Sequence, residues 1–427
     1  MVAREKDLLK PARAQFLNLC QCWSRIRNRS IAISTCQFAH LCRSRPRGSV
    51  RSLPLSDRLP RRLHHLPGSS PARRVRRVRE GAYTGEMRTT WKKIRYRLEW
   101  LALKSATTFI PLLSRKACYR LALLLGFLGA SLDRRGRRVA LSNLRVAFGD
   151  EISSKRRAQI VREAYQHFAR TMLDFFWSPR LTSENFSRYV EFENRERWDE
   201  ENTRPGKPVI VGCYHYSNFE WLSIVSAFAG LEGVVIAQQF KNPLLDPIFS
   251  KLRQRSGHRV APRKGAVMHL YRALRRGERF ALLVDLTISA KLPTVAIECF
   301  GLERCVTFAH VWLHQRTGAP IINVHCEPLP GGRYRVIFHP RIEFPAGASL
   351  QEMAQACWDQ FEPVVRKNPA PWLWMYKHWR YRPVAANPAA YPFYANISED
   401  FERRLDEGVR KLPPMTSKMK LPTVTPA

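Results

Sequence analysis

Residues 208–220 read PVIVGCYHYSNFE, and the chain continues FEWLSIVSAFA over 219–229. A short apolar run that stops at polar residues is the pattern of a buried strand, and the apolar stretch after it is long enough for a helix. His215 therefore falls at a strand-to-helix corner. In α/β folds such corners present side chains at the carboxyl edge of the sheet, where ligands bind. His215 is also the one histidine of twelve with a carboxylate five positions on, Glu220. A carboxylate one helical turn away can hold an imidazole in one tautomer and stabilise its protonated form, as a general base requires. The spacing alone is weak evidence, because a polar loop histidine beside an unrelated helix-start glutamate gives the same pattern.

Outward from this corner, strand-like and helix-like runs alternate. Strands are expected at 209–213, 233–237, 280–284, 294–298, 320–326 and 334–338, and helices at 219–229, 243–255, 264–276, 307–317 and 350–366. Such alternation predicts an α/β fold with a central, mostly parallel sheet flanked by helices. Ahead of it, 153–177 carries apolar residues at three- and four-residue spacing, an amphipathic helix. No internal repeat is present.

The first 86 residues are of another kind, rich in Arg, Ser and Pro without helical or strand periodicity, and composition predicts disorder there. A more ordinary protein start follows at Met87, so 1–86 is expected to be an upstream extension. Four units result: the basic extension 1–86, a membrane-associating helical segment 87–135, an α/β domain 136–385 and a C-terminal tail 386–427. The formal net charge is +37, and both the extension and the remainder are basic. Such a surface suits polyanions: nucleic acid, an anionic membrane face or an acidic protein. The ten cysteines form no C-x-x-C pair, which argues for buried reduced thiols in a cytoplasmic setting. The first 30 residues hold no apolar core of signal-peptide length.

Two apolar stretches, 98–113 and 119–132, precede the amphipathic helix. The second, YRLALLLGFLGASL, is shorter than the ~20 residues that span a bilayer as a helix. Basic clusters flank it on both sides, SRKACYR and DRRGRR, where a spanning helix shows asymmetry. Helices lying in the membrane interface are the expectation, with ordinary core helices or a tilted single span as the alternatives.

Five blocks occur in a telling order: VIVGCYHYSNFEW, QFKNPLLDPIFSKLRQRSG, LYRALRRGERFALLVD, RTGAPIINVHCEPLPGGRYRVIF and PWLWMYKHWRYRP. In that order, over about 87–383, the chain resembles the bacterial lipid A biosynthesis acyltransferases, the lauroyl/myristoyl transferases of the glycerolipid acyltransferase superfamily. The resemblance implies an enzyme that moves a fatty acyl chain from acyl carrier protein to a hydroxyl of a lipid A precursor or similar anionic glycolipid. It implies His215 as general base with Glu220 as its partner. Arg253 falls where the family places an arginine assigned to the oxyanion or to phosphate, and Arg255 is an equal candidate. Asp285 closes the strand FALLVD at the family's acidic position near the cleft. Asn218 and Lys241 join these as substrate-side candidates, although Lys241, Asn242 and Pro243 suit a turn before a helix as well.

Two departures from the pattern stand near the substrate side: Leu286 and Thr287 after Asp285, and CVTFAHVW over 305–312. Trp372, Trp374, Trp379 and Tyr381, interleaved with Lys377, His378, Arg380 and Arg382, fit either an interfacial belt or a C-terminal segment packed on the core. His378 and His310 read as structural.

The expected setting is the cytoplasmic face of the inner membrane, with acyl carrier protein, an anionic glycolipid and the membrane surface as partners. Neither a cofactor beyond the acyl donor nor a metal is expected. Alternatives are the same chemistry with acyl-CoA on a phosphoinositide mannoside or amino-lipid, an inactive membrane scaffold, and a basic nucleic-acid-binding protein acting through 1–86.

Overall fold

The computed structural model describes residues 71–198, 207–237, 240–262 and 266–409. Four helices open it: α1 (Pro71–Phe109), α2 (Arg115–Leu132), α3 (Arg134–Phe148) and α4 (Ser154–Trp177). Helix α1 is continuous through Met87, so secondary structure marks no boundary there; residues 1–70 of the expected extension lie outside the described residues. The starts of the next three are written locally. Ser114, Asp133 and Ser153 each cap a helix by accepting a backbone N–H of its first turn.

The centre is a seven-stranded sheet of β1 (Val190–Glu193), β2 (Ile210–Cys213), β3 (Val234–Ala237), β4 (Arg259–Pro262), β5 (Phe280–Leu283), β8 (Ile321–Pro328) and β9 (Tyr334–Phe338), in the order β1-β9-β8-β2-β5-β3-β4. From β8 to β4 every pair is parallel; β9 runs antiparallel to β8 and carries β1 parallel to itself. The expected α/β class and largely parallel sheet are thus observed.

Both faces of the sheet are covered, as a parallel sheet requires. Ile210 and Ile321 point into one core, while Val211, Ile322 and Val324 point into the other. The first core is closed by α3, α7 (Ala266–Arg275), α8 (Ala309–Thr317) and α9 (Leu350–Asp359) through Leu144, Leu270, Leu313 and Trp358. The second is closed by α2, α4, α5 (Phe219–Phe228) and α6 (Asp246–Gln254) through Cys118, Phe175, Trp221 and Phe249.

Two expectations are corrected. The strand expected at 294–298 is β6 (Val295–Cys299), paired in an antiparallel hairpin with β7 (Leu302–Val306) outside the central sheet. The helix expected over 350–366 is two helices, α9 and α10 (Glu362–Lys367). Pro363 sits at the start of the second, where its missing N–H is harmless; inside one long helix it would break the ladder. Past the α/β core the chain is folded as far as Val409: β11 (Asn396–Ile397) pairs with β10 (Tyr381–Arg382), and α11 (Glu399–Val409) seats Phe401 against Ala296 and Cys305 of the hairpin.

No helix among the described residues is long and apolar enough to cross a membrane. Helices α1 and α2 nevertheless leave Trp91, Leu98, Leu101, Phe109, Leu124 and Phe127 exposed, with Leu112 between them. The inner side of α1 is fastened by Asn242, which donates to the Tyr96 carbonyl and to Glu99.

Candidate active site

The site forms where β2 and β5 end side by side. Their register pairs Cys213 with Leu283, so the residues two positions past each strand, His215 and Asp285, emerge as neighbours at the carboxyl edge. His215 Nδ1 lies 2.7 Å from Asp285 Oδ1. The His215 backbone N–H also donates to Asp285 Oδ2 at 3.0 Å, and Trp372 Nε1 donates to the same oxygen at 3.0 Å.

Asp285 is buried and ionised. Burial alone would push its carboxyl up, but the charge and hydrogen bond of His215 and the bond from Trp372 outweigh it, holding the carboxyl down at about 2. His215 is half-buried, with the Phe219 ring edge-on to it at 5.0 Å. Its Nδ1 is engaged by Asp285, and Nε2 has no protein partner among the described residues. An imidazole held at one nitrogen by a carboxylate and open at the other has the geometry of a general base.

Glu220 does not hold His215, and here the sequence expectation is corrected. Its carboxylate receives Arg253 Nε at 3.0 Å and Nη2 at 2.5 Å in a two-pronged pair that bridges α5 and α6. The reason is directional: Glu220 lies in the first turn of α5 with its carboxylate turned to Arg253 of α6. Arg253 is committed to that bridge. Arg255 stands exposed at the C-terminus of α6, and Lys241 is half-buried in the turn before that helix.

Asn218 is also not placed for substrate. It is fully buried, its Oδ1 caps α5 by accepting Trp221 N–H, and its Nδ2 donates to Asp174 Oδ2 at 3.0 Å. Asp174 is the hub of a buried network in which Arg115 pairs with both carboxylate oxygens and the Tyr334 hydroxyl donates at 2.5 Å. This network ties α2, α4, β9 and the corner after β2 together. Ser217, in the corner itself, has a positive φ of 50°, and its N–H donates to the Pro371 carbonyl at 2.9 Å.

The segment 371–379 crosses this corner as a buried layer. Trp372, Trp374, Tyr376, His378 and Trp379 are buried, so these aromatic residues pack on the core instead of forming an exposed belt. The Trp372 bond to Asp285 had no signal in the sequence.

A sequence profile of the bacterial lipid A biosynthesis acyltransferases matches residues 86–381, most of the chain. The chain belongs to the bacterial lipid A biosynthesis acyltransferase family. Among solved structures, this acyltransferase matches the 1-acyl-sn-glycerophosphate acyltransferase PlsC of Thermotoga maritima, at 16% identity and a TM-score of 0.27, over 55% of this chain and 98% of that one. Comparison with curated proteins found no match. Family membership makes the chain an acyltransferase acting on lipid substrates.

Proposed function

We propose that this acyltransferase moves a fatty acyl chain from an acyl carrier protein thioester to a hydroxyl of a lipid A precursor or similar anionic glycolipid, with His215 as general base and Asp285 as its partner. The observation that carries this reading is the His215–Asp285 pair at the edge of the sheet, with Nε2 left open. In the step, Nε2 takes the hydroxyl proton as that oxygen attacks the thioester carbonyl carbon. The C–O bond forms, the C–S bond breaks, and the imidazolium returns the proton to the departing thiolate. Asp285 fixes the tautomer and stabilises the transient imidazolium. Base catalysis of this kind is worth roughly 10²–10⁴ in rate.

Charge supports both partners. A chain of net charge +37 favours an acidic carrier protein and a phosphorylated lipid alike. The exposed Trp91, Leu98, Leu101, Phe109 and Leu112, interspersed with Lys92, Lys93, Arg95, Arg97 and Lys104, suit a helix lying in an anionic membrane interface. We place the enzyme on this basis at the cytoplasmic face of the inner membrane.

The test supplies the full chain, wild type and His215→Ala, with labelled acyl-carrier-protein thioester or acyl-CoA and a lipid A precursor. Acylation that depends on the carrier thioester and on His215 is expected. Absence of transfer to the glycolipid from either donor, or transfer unaffected by His215→Ala, would overturn the proposal.

A further inference from the structure

The hairpin β6–β7 lies outside the central sheet, yet one of its side chains reaches the floor of the site. Arg304, in β7, is wholly buried and makes no ion pair among the described residues. Its Nε and Nη2 have no hydrogen-bond partner, and its guanidinium lies 4.7 Å from the Trp358 ring and 5.8 Å from that of Trp372. A buried cation without a paired carboxylate is an expensive arrangement to keep for packing alone. What Arg304 does touch is informative: Nη1 donates to the backbone carbonyl of Asp285 at 3.1 Å and lies 3.2 Å from His378 Nδ1.

We propose that Arg304 is a positioning residue for the His215–Asp285 pair. It holds Asp285 by two routes. The first is direct, through the Asp285 carbonyl, which fixes the backbone that carries the carboxylate. The second runs through His378 and Trp372. Arginine only donates, so His378 Nδ1 accepts, and the ring proton sits on Nε2, which donates to the Leu373 carbonyl at 3.0 Å. Burial and the neighbouring Arg304 charge hold His378 neutral, in that tautomer. Its ring then stacks on Trp372 at 3.9 Å and 21°, and Trp372 Nε1 donates to Asp285 Oδ2. A single guanidinium thereby sets both the backbone and one carboxylate oxygen of the residue that orients the base.

The ionisable groups around these contacts are His215 after β2, Asp285 after β5, Arg304 in β7 and His378 before β10, with the Glu362–Arg366 pair of α10 behind Trp358 and Cys299. The Glu220–Arg253 pair lies beyond them on α5 and α6, and burial keeps the thiols of Cys213 and Cys299 and the Tyr214 hydroxyl protonated.

This inference rests on the reading of His215 as general base, and one assay separates the two. The full chain is measured for acyl transfer across pH as wild type, His215→Ala, Arg304→Gln and Arg304→Lys, each checked for folding by circular dichroism and thermal melting. Arg304→Gln is expected to lower kcat at least about tenfold with KM little changed, as a misplaced base does. Arg304→Lys keeps the charge but loses the planar guanidinium that lies against Trp358 and aims Nη1, so kcat still falls. A folded Arg304→Gln with wild-type kcat overturns the assignment. If Arg304→Gln does not fold, Arg304→Lys decides: wild-type kcat overturns the assignment, and reduced kcat at unchanged KM supports it. If neither folds, the role is structural and the assignment fails. Full activity of His215→Ala, by contrast, sinks the general-base reading itself.

Discussion

Asp285 Oδ1 sits 2.7 Å from His215 Nδ1, and the two residues are separated by 70 positions in the chain. They meet because β2 and β5 are parallel neighbours in register, each ending two residues before its functional side chain. The carboxylate also accepts from the His215 backbone and from Trp372, so its orientation does not depend on the imidazole alone. A side chain held by three donors is pre-organised before substrate arrives.

Replacing Asp285 by Asn keeps the size of the side chain but removes the charge that selects the tautomer. Steady-state acyl transfer by Asp285→Asn should show kcat reduced about 10²- to 10⁴-fold, with KM close to wild type. A variant that retains most of its kcat would assign the pair a structural role only.

Glu220 belongs to a different class of residue. Truncating it to Ala strands Arg253, whose side chain is only 17% exposed, and breaking a buried pair in this way costs about 3–5 kcal/mol, the lower end applying here because some solvent reaches the arginine. Chemical denaturation should show that loss in Glu220→Ala, and Glu220→Leu combined with Arg253→Met should recover much of it. The acidic limb of the activity profile should stay in place in whatever fraction remains folded. A shifted limb with unchanged stability would return Glu220 to the base.

These two residues show how far the sequence could be read. Local patterns were legible: the apolar run into β2, the helix after it, the amphipathic α4 and the alternation that predicts a parallel sheet. The partner of His215 was not, because sequence spacing suggests Glu220 while only strand adjacency brings Asp285 beside it. Edge strands were also missed. β1 alternates glutamate with apolar residues, and β4 is four residues long, opening on Arg259 and closing on Pro262, the features by which sheet edges are kept from further pairing. Arg304 lies one residue before the stretch 305–312 read as a departure from the family pattern, and nothing local marks a buried arginine.

His310 in α8 offers a stability test of a different kind. It is buried with neither ring nitrogen partnered among the described residues, and burial pulls it down from 6.5 to about 3. The unfolded chain therefore takes up a proton between those values that the folded chain refuses, so stability falls as pH drops through that window. Burial acts in the same direction on His167 and His339, both held at about 4. Thermal melting at pH 7.5 and pH 5 should show His310→Leu equal to or more stable than wild type at the higher pH, with a smaller drop at the lower. An equal drop in both proteins would remove His310 from the account of acid sensitivity.

Helices α2 and α4 approach closely at Gly126, where an added Cβ would stand 2.3 Å from the Gln166 Cα. Backbone on the other side cannot swing away as a side chain tip can. Gly126→Ala is therefore expected to destabilise by about 1–3 kcal/mol through overpacking, read as a lowered melting temperature. An unchanged melting temperature would mean the two helices separate freely.

The central claim is that His215, held by Asp285, takes the proton from a lipid hydroxyl. Single-turnover transfer of a labelled acyl chain from acyl carrier protein to a lipid A precursor, compared between wild type and a folded His215→Gln, tests it most directly. The account predicts a rate reduced at least about 10²-fold with acceptor binding retained. Transfer by His215→Gln at the wild-type rate would contradict it.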